Sequence, residues 1–160
     1  MPTPDRTTIR AAVDELVNKL RTNLVADPPT ATKPFRKVGI GIAGSQEYPR
    51  PFLTVSLSRA RPIGVTDNDK VMELEMKLRA VTDATATDPH GAILDMIGAT
   101  DDYLDGIVDT GVITGAEGFD ARNWTFEYSA QTSGSRIVVA EASQSFVVKV
   151  QRQQNRVPAA

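Results

Sequence analysis

The chain has 160 residues, 18 basic and 20 acidic, giving a formal net charge of −2, with one histidine and no cysteine. That length suits one domain able to bury roughly two-thirds of its unfolded surface, and the missing cysteines exclude disulfides, thiolate nucleophiles and zinc-thiolate sites, as suits folding in a reducing compartment. The near-neutral balance excludes global attraction to nucleic acid. No apolar run approaches the ~20 residues that cross a bilayer, and no basic-then-apolar leader precedes the first element, so a soluble, unprocessed protein without membrane contact is expected.

Thr3-Pro4-Asp5 has the order cap, proline, acid that suits the unpaired amides of a helix start. Ile9, Val13, Leu16, Val17, Leu20 and Leu24 recur at spacings of three and four, which predicts a helix over Thr3–Leu24, ended by Asp27-Pro28-Pro29. From Pro34 the period becomes two. Val38, Ile40 and Ile42 alternate with Lys37, Gly39 and Gly41, and Leu53, Val55 and Leu57 alternate with polar residues within Pro51–Ala60. The Gly-, Ser- and Pro-rich segment 44–51 then reads as a loop joining antiparallel neighbours.

Gly39-Ile40-Gly41-Ile42-Ala43-Gly44 matches the spacing of a dinucleotide-binding loop, which needs a helix N-terminus behind it to hold phosphate. Pro49 and Pro51 follow too soon for such a helix. Gly39 and Gly41 therefore read as places where another backbone comes close to the sheet. Arg59 and Arg61 bracket the end of the second strand before Pro62.

Asp67-Asn68-Asp69 has the D-x-D oxygen pattern of calcium loops but lacks their glycine and distal glutamate, and reads as a turn. Over Val71–Val81, Met72, Leu74, Met76, Leu78 and Ala80 alternate with Glu73, Glu75, Lys77 and Arg79. A helix would scatter the apolar five around its circumference, whereas a strand buries them on one face and exposes a salt-bridged row on the other. That row leaves Glu73 and Glu75 unsuited to the carboxylate pair of a glycosidase.

Asp88-Pro89 repeats the cap-and-proline signature ahead of Ala92, Ile93, Met96 and Ile97, so a second helix is predicted up to Gly98. Thr100-Asp101-Asp102 can cap a further short helix through Leu104 and Ile107, before the glycine-rich segment 111–118. His90, just inside the helix start, lacks a nucleophile elbow to serve. From Ala80 to Ala121 the chain carries nine acids, among them Asp101, Asp102, Asp105 and Asp109, and no Lys or Arg, whereas both flanks are net basic. Such segregation suits docking onto copies of the chain and, equally, a solvated acidic helix face.

Trp124, Phe126 and Tyr128 alternate ahead of a turn at Thr132–Ser135, and Arg136–Gln151 forms the long second arm of a hairpin, with a bulge expected near Ala142-Ser143. Phe146-Val147-Val148-Lys149-Val150 is apolar at consecutive positions, as in a strand covered on both faces, by other subunits or by the protein's own helices. The expected domain is 1–151, with a flexible tail 152–160. The fold class is α+β: an antiparallel or mixed sheet of about five strands, an N-terminal helix and one or two central helices, in the order α-β-β-β-α-(α)-β-β. No catalytic, cofactor or metal site is expected.

The capped N-terminal helix, the strands Pro51–Ala60 and Val71–Val81, the helical segment after Asp88 and the closing hairpin together resemble the tail terminator proteins of long-tailed bacteriophages, of the lambda U type. The resemblance lies in element order along most of the chain. It implies a virion protein, assembled in the host cytoplasm, that forms a homo-oligomeric ring, usually a hexamer. Such a ring caps the tail tube, ends its polymerisation and meets the head-side connector, while DNA passes through without specific binding. Arg59, Arg61, Asp101, Asp102, Asp105, Asp109, Phe146 and Val148 become candidate subunit-interface or channel-lining residues. Another neck or tail subunit, such as a stopper or tube protein, is the nearest alternative; a small-molecule-binding or enzymatic domain would need a buried polar pocket.

Overall fold

A computed structural model of the chain describes residues 8–41, 48–65, 69–83, 89–108, 116–119, 123–130 and 136–151. The elements are α1 (Ile9–Leu24), β1 (Lys37–Ile40), β2 (Phe52–Val65), β3 (Asp69–Asp83), α2 (Pro89–Val108), β4 (Ala116–Phe119), β5 (Thr125–Ala130) and β6 (Arg136–Gln151). This is the expected α+β class, with a mixed sheet, an N-terminal helix and a central one, and with β4 as a strand the sequence reading lacks.

Helix α1 starts later than the Thr3 signature suggests. Thr8 is extended (φ −83°, ψ 162°), and its hydroxyl accepts the Ala11 amide at 3.1 Å, so Thr8 is the cap. Thr3 to Asp5 lie outside the described residues. The apolar stripe is buried as expected through Ala12, Val13, Leu16, Val17, Leu20 and Leu24.

The sheet runs β1-β2-β3-β6-β4, with β5 also paired to β6. Strand β1 pairs with β2 in parallel, Val38 against Leu53, not antiparallel. Alternation tells which face a residue takes but not which way its strand runs, so this error was open at the sequence level. Strand β2 continues through Pro62 to Val65, past its expected end. Proline is tolerated there because β1 covers only Phe52–Val55, leaving the rest of β2 as an edge among the described residues.

Strands β3 and β6 form fifteen consecutive antiparallel pairs, from Asp69 with Gln151 to Asp83 with Ile137, without a register shift. The bulge expected at Ala142-Ser143 is therefore absent from this ladder. The interruption lies in the partners on the far side of β6: β5 pairs with 136–141 and β4 with 145–148.

Both helices lie on one face of the sheet, where Met72, Leu74, Met76, Leu78 and Ala80 are buried together with Leu16, Leu20, Ile93, Met96 and Leu104. Phe146 and Val148 belong to this core, at 2% and 0% exposure. As subunit-interface or channel residues they are corrected: the protein's own helices cover them. Val147 is half-buried and Lys149 exposed on the other face, which carries no helix among the described residues. The run of apolar residues thus does not require cover on both sides.

Helix α2 runs unbroken through Gly98 and Thr100. Thr100 is fully buried and its hydroxyl donates to the Met96 carbonyl at 2.7 Å, so it continues the helix instead of capping a new one. His90 is exposed in the first turn.

On the open face a small second cluster, Phe52, Val81 and Val139, is covered by Tyr48, whose ring meets Phe52 edge-on at 5.6 Å. A Cβ at Gly39 would lie 2.6 Å from the Tyr48 hydroxyl oxygen, so an aromatic side chain, not a second backbone, demands glycine there. Gly41 has a positive φ of 97°, which ends β1 at little cost. Gly44 lies outside the described residues, and no described residue between β1 and β2 is helical, contrary to what a phosphate-binding loop requires.

Two stability changes follow. Phe146→Ala should lower the unfolding free energy by about 3–5 kcal/mol in denaturant titration. Gly98→Ala should raise it by up to about 1 kcal/mol, because the position is exposed, helical and free of any atom within 4 Å of an added Cβ.

Candidate assembly surfaces

The open face of the sheet is a ladder of polar side chains held by cross-strand pairs. Glu141 on β6 accepts Arg79 Nε and Lys77 Nζ, each at 3.2 Å, on its two carboxylate oxygens. Glu73 accepts Arg61 Nε at 2.8 Å, and Glu75 accepts the Ser58 hydroxyl at 2.8 Å. The row expected along β3 is therefore neutralised by its neighbours in the sheet, because directly opposite residues lie closer than i and i+2 on one strand. Such exposed pairs add about 0–1 kcal/mol each and mainly order the face.

Arg59 projects from the same stretch of β2 as Arg61 and makes no ion pair among the described residues. Leu57, Ile63 and Val65 on this strand are 38%, 51% and 56% exposed. A strand edge with arginines and uncovered apolar side chains is a surface suited to a macromolecular neighbour.

The acidic residues of α2 do not act as one group. Asp101 accepts the Trp124 indole N–H at 2.9 Å and so ties the approach to β5 onto the helix. Asp102 is exposed and, with Asp95, rims a groove of about 410 Å³ floored by Leu24, Leu94, Ala99 and Tyr103. Asp105 is exposed one turn further on, and Asp109 lies outside the described residues. Asp67 and Asn68 are likewise outside, while Asp69 opens β3. Asp101 thus has a structural task, and Asp95, which the sequence reading did not single out, joins Asp102 at the groove. The i,i+7 spacing of Asp95 and Asp102, placing both on one helix side, was the available signal.

Tyr103 accepts the Asn23 amide at 3.0 Å across the α1–α2 junction. Burial pushes its phenol above the usual value of 10.0, against the lowering effect of that hydrogen bond. Among the described residues no group of three or more His, Asp or Glu side chains converges as a metal site would require. No described helix is long and apolar enough to cross a membrane. No model of a known protein family matches the chain, and no characterised protein matches its sequence.

Because the raised phenol keeps its proton to higher pH when folded, its contribution to stability is present below pH 10.0 and is lost as pH rises beyond it. Absorbance titration of the native protein should show a phenol ionising above the ordinary range, a step that Tyr103→Phe removes.

Proposed function

We propose that the chain is a virion structural protein, a tail terminator whose copies close into a ring on the end of a phage tail tube. The resemblance in element order carries this reading, and the segregated charge of the surface supports it: an arginine-bearing strand edge on β2 and, separately, exposed carboxylates on α2. The arginine edge serves a heterologous contact, in which one patch meets a different patch on the next copy, and the carboxylates are left to the ring's opening. In the ring, Asp95 and Asp102 repel phosphate and keep DNA sliding past. The ring stops tube growth on one face and receives the head-side connector on the other.

Heterologous contacts close into rings or propagate as open polymers depending on the rotation between copies. A tube subunit is accordingly the second reading. Negative-stain images and native mass measurement of the purified protein should reveal closed rings, most simply hexamers. Added to polymerising tail-tube protein, it should shorten the tubes and sit at their ends. Open tubes built from this chain alone would favour the second reading, and a monomer with no effect on tube length would defeat both.

A further inference from the structure

The stretch of β2 between its two register shifts, Arg59 to Pro62, occupies the same four rows of the sheet as β4. The rows read Arg59–Glu75–Ser145–Phe119, Ala60–Leu74–Phe146–Gly118, Arg61–Glu73–Val147–Glu117 and Pro62–Met72–Val148–Ala116. β1 ends at Ile40, opposite Val55, so among the described residues Arg59–Pro62 is an outer edge, and β4 ends the strand path on the opposite side. The two edges agree in length and in level across the sheet.

They also agree in direction. Each successive pair, β2 with β3, β3 with β6 and β6 with β4, is antiparallel, so β4 runs opposite to β2. A second copy placed alongside in the same orientation would bring its β2 antiparallel to β4, continuing the alternation across the junction. We propose that β4 of one copy adds to the Arg59–Pro62 edge of the next, making one continuous sheet from copy to copy. This rests on the ring reading above and names its seam.

Charge selects this occupant over a two-fold pairing. Antiparallel pairing of β2 with itself about Ala60 would set Arg59 opposite Arg61, and like charges directly opposite destabilise a sheet. Strand β4 has one charged residue, Glu117, in the row of Arg61. With rows in step Glu117 stands beside Arg61 of the neighbour, and with a slip of two it stands beside Arg59. The register shifts at Leu57/Arg59 and Pro62/Gly64 confine pairing to these rows, and Pro62 withholds a donor from the last of them. Bulges and proline are what restrain a sheet edge from indiscriminate growth. Ile63, half-exposed next to the seam, gains cover from the neighbour.

The absence of cysteine allows a direct test. Arg61→Cys with Glu117→Cys, and Arg59→Cys with Glu117→Cys, are oxidised as full-length protein beside each single variant, with circular dichroism confirming the fold. Directly opposite strand residues lie within disulfide reach. The seam yields a ladder of covalent oligomers from at least one double variant, ending at the ring number, and none from the singles. Rings in micrographs without a ladder would overturn the seam and leave the ring reading standing. Covalent dimers from Arg59→Cys with Arg61→Cys, which pairing about Ala60 sets opposite each other, would show two-fold pairing and overturn it too. A wild-type chain that stays monomeric, with no ladder from any variant, removes both.

Discussion

The ladder of β3 with β6 positions every other element. It is the longest unbroken pairing among the described residues, and both strands carry the core on the same face: Met72, Leu74, Met76, Leu78 and Ala80 from one, Val138, Ala140, Phe146 and Val148 from the other. Burying a leucine, methionine or phenylalanine side chain stabilises by about 1.5–3 kcal/mol. A slip of one residue would turn the apolar row outward and bring Glu73, Glu75, Lys77 and Arg79 under the helices, where unpaired charges are far costlier. The register is thus held by the difference between the two faces of β3.

From that constraint the exposed surfaces follow. Both helices are spent on one face, so the other is polar apart from the Phe52, Val81 and Val139 cluster under Tyr48, and it is organised by bonds between strands such as Glu141 with Lys77 and Arg79. Because β6 is longer than either β4 or β5, its outer side is shared between them. Because β2 is longer than β1, its outer half is left as an edge among the described residues. Mismatched strand lengths thus leave strand edges uncovered among the described residues.

The acid block divides once folded. Asp101 is occupied by Trp124, whereas Asp95 and Asp102 share the rim of the α1–α2 groove. A run of like charge in sequence does not make a patch in space, since a helix distributes successive residues at about 100° intervals around its axis.

Periodicity in the sequence was sufficient for the buried stripe of α1, the two faces of β3, the closing hairpin and the α+β class, because a residue's face depends on local geometry that spacing reports. It was insufficient wherever a distant partner decides. The direction of β1, the edge that admits Pro62, the continuity of α2 through Gly98, the burial of Phe146 and Val148 by helices, and the four-residue β4 all depend on what lies across the sheet or under the helix. Arg59 and Arg61 stood out in the sequence as a pair bracketing the end of a strand before Pro62, but their shared rows with β4 arise only when β3 and β6 stand between the two edges. Local chemistry chose the elements and their faces; long-range pairing chose their neighbours, because backbone hydrogen bonds between strands carry no sequence label of their own.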